Sequence, residues 1–157
     1  MRRATAVSVL LALVAVAAFV YVCIGTTKLP IDLPPGFVHL EDGGSGFRAM
    51  TSDDARLWIR RWSESTEATA TFWADVLQQE LVQRGYERKA GGEIADRAGR
   101  SGRWGEFDAN LGGERMRYLI AVWAEGCMVQ VVEFGAVAAV YDKHASAVRT
   151  ALATLRN

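Results

Sequence analysis

Apolar residues recur along most of the chain with one of two periods. Over residues 68–84 they fall at Phe72, Trp73, Val76, Leu77 and Leu81, a helical spacing that leaves Asp75, Gln78, Gln79 and Gln83 on the polar face and sets Gly85 to end the helix. The same period returns over 136–155 at Val137, Val140, Tyr141, Val148, Leu152 and Leu155. Elsewhere the pattern is that of strands. Residues 37–40, FRAM at 47–50 and ARLWIRRW at 55–62 precede the first helix, with a turn at Ser52-Asp53-Asp54. Four further strands, over 93–98, 103–111, 115–124 and 127–134, are separated by glycine turns at 99–102, 112–113 and 125–126, as in an antiparallel meander. Gly91-Gly92 also reads as a turn.

The last two of these strands are apolar on both faces, at Tyr118 to Trp123 and at Val129, Val131, Val132 and Phe134, so both sides need cover. Two amphipathic helices supply it. The fold class expected is α+β, with an antiparallel sheet of about six strands covered by two helices and preceded by one N-terminal transmembrane or signal helix.

That N-terminal helix is residues 4–24, ATAVSVLLALVAVAAFVYVCI, 21 residues without a charge. As a helix it extends about 31 Å, which matches a hydrocarbon core of about 30 Å. Arg2 and Arg3 precede it and Lys28 alone follows closely, so the positive-inside rule places the N-terminus in the cytoplasm and the rest outside. Three fates share that sidedness: a retained anchor, a signal peptide cut after Ala17 or Ala18, and a lipoprotein signal acylated at Cys23, where Val22 departs from the small residue such a site expects. The expected organisation is a signal-anchor or signal peptide over 1–25, a tether over 26–36 holding Pro30, Pro34 and Pro35, and a single extracytoplasmic domain over 37–157.

Element order and spacing resemble the PsbP/Mog1-like superfamily. GFRAMTSDDARLWIRRW stands as the opening strand pair, FWADVLQQELVQRGYE as the first helix and RYLIAVWAEGCMVQVVEF as the central hairpin, before a closing helix. The resemblance spans residues 36–157. It implies an α/β/α sandwich and an accessory or interaction role, and carries over no functional residue.

Composition narrows the chemistry. Lys plus Arg and Asp plus Glu are 18 each, and without Arg2 and Arg3 the balance is 16 against 18, a charge of −2 that suggests no nucleic-acid partner. Cys23 and Cys127 cannot bridge within the domain, so packing must stabilise it; Cys127 is expected to be buried at the start of a strand. His39 and His144 have no metal-ligand spacing, and His144 falls in the apolar arc of the last helix. Ser45 within GGSG lacks the G-x-S-x-G frame of a nucleophile elbow. No catalytic residue, metal or cofactor is assigned.

Two strands offer candidate binding residues. In ARLWIRRW, alternation puts Arg56, Trp58, Arg60 and Trp62 on one face, where arginine and tryptophan can stack on a ligand or partner; the plainer alternative packs the tryptophans under a helix. In WGEFDANL, Glu106 and Asp108 share a face and could flank a glycosidic bond, although pairing with Arg115 or Arg117 would occupy them. Glu80 and Arg84 are spaced for an ordinary ion pair. The functions expected are a non-catalytic binding or accessory module of the cell envelope that meets an unknown protein or envelope component, a carboxylate-dependent envelope glycan hydrolase, or a structural subunit of a membrane complex.

Overall fold

Alternating side chains on β3 (Arg56–Ser63), β6 (Glu114–Glu125) and β7 (Met128–Val137) send apolar groups to both sides of one sheet. Leu57, Ile59, Leu119, Ala121, Trp123, Val132 and Phe134 enter one core, and Ile120, Val122, Val129 and Val131 enter another. A helix closes each side. In the computed structural model, which describes residues 29–41 and 46–156, seven antiparallel strands run in the order β1-β2-β3-β7-β6-β5-β4. The others are β1 (Val38–Leu40), β2 (Phe47–Met50), β4 (Glu87–Ala95) and β5 (Ser101–Leu111). The helix α1 (Ala70–Gln83) lies on β4, β5 and β6, and α2 (Ala138–Leu152) lies on β6 and β7.

Local chemistry sets the helix ends. The Thr69 hydroxyl accepts from the Phe72 N–H at 3.1 Å and caps α1. At the other end Gly85, at φ +88°, lets its own N–H reach the Val82 carbonyl while the Tyr86 N–H reaches Leu81, both at 3.0 Å. α2 follows β7 directly and buries Tyr141, Ala145, Val148, Ala151 and Leu152.

The expected sheet of about six strands has seven, and β4 starts at Glu87 rather than near residue 93. Its side chains are mostly exposed, so main-chain pairing to β5 defines it, from Glu87 opposite Asp108 to Ala95 opposite Ser101. Gly91 and Gly92 are therefore strand residues. A Cβ at Gly91 would lie 2.7 Å from the Trp104 carbonyl oxygen. Gly102 likewise sits inside β5, where a Cβ would come within 2.6 Å of the Trp123 indole, so its glycine makes room for that ring. Cys127 is half-buried in the turn with Gly126, before β7 begins, rather than buried in the strand.

Residues 29–36 run along the domain. Ile31 is fully buried in the core beside α2, the Arg156 N–H donates to the Pro30 carbonyl at 2.8 Å, and the Arg156 guanidinium reaches the Leu29 carbonyl at 2.9 Å and the Asp32 carboxylate. The chain is held to the domain from Leu29 onward. The apolar segment 4–24, Cys23 and the turn residues 42–45 lie outside the described residues. Among the described residues, no helix is long and apolar enough to cross a membrane.

Candidate binding face

α1 covers only part of its side of the sheet. It lies over β4, β5 and β6 and packs into the core that holds Val129 and Val131 of β7, touching Trp62 of β3 through Trp73; beyond it the same face of β7, β3, β2 and β1 carries Glu133, Trp58, Arg60, Arg48 and Leu40 without a second helix among the described residues. The Arg48 guanidinium lies 4.7 Å and the Arg60 guanidinium 4.6 Å from the centre of the Trp58 ring. Each arrangement is a cation–π contact that holds a long side chain flat on the strand. Arg60 also donates to Glu133 at 2.7 Å through Nε, and the Tyr118 hydroxyl donates to the other oxygen of the same carboxylate. Burial, above all, pushes the Tyr118 hydroxyl up, with the Glu133 charge adding to it, so it remains a phenol and a donor. The Trp58 indole N–H is buried against Gly46 and has no partner among the described residues.

This face is concave. A cavity of about 520 Å³ opens between the start of β3, the end of β7 and the start of β6, with Trp58 and Tyr118 among its walls and Gly135 in its lining. Gly135 matters to its shape, because a Cβ there would come within 3.0 Å of the Tyr118 ring. The 51–55 turn forms the rim. Thr51 donates to Asp53 at 2.5 Å, and Asp53 also receives Lys143 at 2.7 Å and stands 3.0 Å from His144 Nε2, which ties the turn to α2. His144 packs edge-on to Phe37 and His39 stacks on Phe47, so both histidines serve packing contacts.

The residues singled out in the sequence separate. Trp58 and Arg60 stand together on the bare face, whereas Trp62 packs edge-on against Trp73 of α1 and donates to Glu64 at 2.7 Å. Glu106 and Asp108 are on the opposite side, under α2. Glu106 accepts from Tyr141 at 2.8 Å and from Arg149, while Asp108 accepts from Arg115 at 2.6 Å and Arg117 at 3.0 Å, with Arg117 continuing to Asp142. These contacts bind β5 and β6 to α2. The pair Glu80–Arg84 forms on α1. Among the described residues no group of three or more His, Cys, Asp or Glu is arranged to hold a metal ion. The sequence reading missed Glu133, Tyr118 and Asp53; an acid inside the apolar run VVEF was the signal for the first.

The paired carboxylates carry a pH dependence. Lys143 first, then Thr51, holds the Asp53 carboxyl well below the usual carboxylate range, and Arg115 does the same for Asp108 against the opposing effect of burial. A carboxyl depressed in the folded state contributes stability above its unfolded pKa, about 3.9, and loses it as pH falls through the folded value. The urea midpoint should therefore be flat from about pH 7 to pH 5 for these two groups and fall below about pH 4. Asp108→Asn should lower the neutral-pH midpoint and flatten the acid limb; an acid limb identical to the parent's would remove Asp108 from this account.

No protein-family model and no curated protein sequence matches the chain. Solved structures do match. LpqN of Mycobacterium tuberculosis, described as involved in cell envelope biogenesis, is 13% identical with a TM-score of 0.60, covering 78% of this chain and 78% of its own. A protein of unknown function from Pseudomonas aeruginosa is 14% identical at a TM-score of 0.58, covering 85% of this chain and 86% of its own. Cyanobacterial PsbP (CyanoP) from Synechocystis is 14% identical at 0.53, covering 81% and 85%. At these identities the likeness is one of fold, and the chain has the PsbP-like α/β architecture that its element order implies.

Proposed function

We propose that the chain is a binding or accessory module of a cell envelope, held outside a membrane by residues 4–24, which recognises a protein or envelope component through the bare sheet face around Trp58. The observation that carries this reading is the half-covered sheet: past Val131 and Trp62 no helix among the described residues lies on this face, and that part gathers an indole, two guanidiniums and a cavity wide enough for a ligand. Glu106 is instead engaged by Tyr141 and Arg149 of α2, and Asp108 by Arg115 and Arg117 of β6, which favours binding over carboxylate-dependent hydrolysis. The envelope setting rests on the apolar segment and is supported by LpqN as a structural neighbour.

Crosslinking of the full-length chain in its native membrane, followed by capture, tests the face. Trp58→Ala should reduce partner recovery about tenfold or more, with the urea midpoint held close to the parent's because Trp58 lies outside both cores. Unchanged recovery would move the site elsewhere.

A further inference from the structure

The apolar segment and the domain are joined by very little chain, and this sets what lies against the near end of the domain. We infer that the surface around Leu29, Arg61 and Arg156 rests on phospholipid headgroups, with the Arg61 guanidinium on a lipid phosphate. The inference rests on the anchor proposed above and adds the surface that meets the membrane. From Ile24, the last residue of the apolar segment, to Leu29 there are five Cα steps. However they run, they span at most about 18 Å, and the headgroup layer takes up about 5–8 Å of that. Leu29 is fixed to the domain: the Arg156 guanidinium donates to its carbonyl at 2.9 Å, the Arg156 N–H donates to the Pro30 carbonyl at 2.8 Å, and Ile31 is buried. The eight residues of β3 alone extend about 26 Å, more than the tether can reach. The end of the domain that holds Leu29 is therefore the part nearest the lipid.

The chemistry of that end suits phosphate. β2 starts at Phe47, opposite Ile59, so among the described residues β3 has no strand beside Arg60 to Ser63 on that side. A cavity of about 440 Å³ opens there, with Pro30 and Phe47 among its walls and Arg60, Arg61 and Arg156 in its lining, and no Asp or Glu among the described residues that line it. Two of these cations have acids outside the cavity: Arg60 is paired with Glu133, and Arg156 shares Asp32 with Arg97. Arg61 is exposed, and its guanidinium meets a neutral acceptor, the Arg156 carbonyl at 3.2 Å. A guanidinium fork matches two phosphate oxygens, and a phosphodiester supplies them in zwitterionic and anionic lipids alike. Arg97, exposed and 3.8 Å from Asp32, adds a second cation beside the tether.

The test uses the full-length chain reconstituted into vesicles of equal parts phosphatidylcholine and phosphatidylglycerol. A photocrosslinking p-benzoylphenylalanine takes the place of Ser63, two residues beyond Arg61, or of Ser52, on the turn before β3 at its other end; both positions are exposed. Irradiation should attach lipid at position 63 and several-fold less at position 52, read from the mass of the intact chain. Arg61→Gln should lower the yield at 63 about threefold or more, and Arg61→Lys, which keeps the charge without the fork, should recover part of it. Inorganic phosphate at the phosphate concentration of the vesicles should leave the yield unchanged; a loss would assign Arg61 to a soluble anion and overturn the lipid assignment. Equal yields at the two positions, or a yield at 63 indifferent to Arg61→Gln, would also overturn it. Flotation separates the premises. A chain that fails to float with the vesicles rejects the anchor, whereas a chain that floats and takes lipid equally at both positions rejects this inference alone.

Discussion

Truncating Phe134 to alanine is expected to lower the unfolding free energy by about 3–5 kcal/mol, the loss of a large buried side chain plus the cavity it leaves. Phe134 is fully buried on β7, pairs with Leu57 on one side and Leu119 on the other, stacks on Tyr141 of α2 at 4.6 Å and meets Phe37 edge-on at 6.1 Å. It therefore touches the sheet centre, the closing helix and the segment before β1 together. Domains of this size hold about 5–15 kcal/mol in total, so the variant should retain a folded population with a much lower urea midpoint. A midpoint within experimental error of the parent's would mean that α2 does not close on the sheet as described.

The second large effect is expected at Asp96, on the turn between β4 and β5. Its side chain is fully buried; one oxygen accepts the N–H groups of Ala98 and Arg100 at 2.9 Å, and the other accepts Arg100 Nε at 2.6 Å. Arg100 in turn reaches Gln130, which donates to the Arg156 carbonyl at 3.1 Å. Asp96→Ala leaves two N–H groups and a mostly buried guanidinium without their acceptor, and should cost about 3–5 kcal/mol. Asp96→Asn keeps one oxygen for the N–H groups and should cost less. If Arg100 matters mainly through this pair, the double variant Asp96→Ala, Arg100→Met should recover part of the loss in equilibrium unfolding, as removing both partners avoids a stranded charge. Strictly additive losses would refute that coupling.

Much of the fold was legible because burial wrote it. The two helices show their period plainly, and the strands around Leu119–Trp123 and Val129–Phe134 are apolar on both faces because each face really does meet a helix. Where burial plays no part, the reading faltered. β4 is a largely solvated edge containing two glycines, and nothing in Glu87-Arg88-Lys89-Ala90-Gly91-Gly92 announces a strand; its partner β5 imposes it. Gly102 looked like a turn residue for a similar reason, since its role depends on Trp123 across the ladder.

The site was legible only as a set of residue types. Alternation placed Trp58 and Arg60 together, but it could not say that α1 would reach Trp62 through Trp73 while leaving Trp58 outside its cover. The acids divided in the same way. Glu106 and Asp108 drew notice as neighbours, yet Tyr141, Arg149, Arg115 and Arg117 claim them; Glu133, alone in an apolar strand, sits at the centre of the bare face through Arg60 and Tyr118. Pairings between residues as distant as Arg60 and Glu133 depend on strand order, which one chain's periodicity does not encode.

The Arg156 clamp gives the molecule a direction. Arg156 joins the two ends of the described chain at one pole: Gln130 and Arg61 donate to its carbonyl, and its guanidinium holds the Leu29 carbonyl on the α2 side. The cavity opens at the other end of β3, near Arg56, on the α1 side, about 16 Å further along the strand. A support gripping either terminus thus presents the same far corner, so a surface sensor coupled at residue 29 and one coupled at residue 156 should leave the groove equally open to a soluble partner.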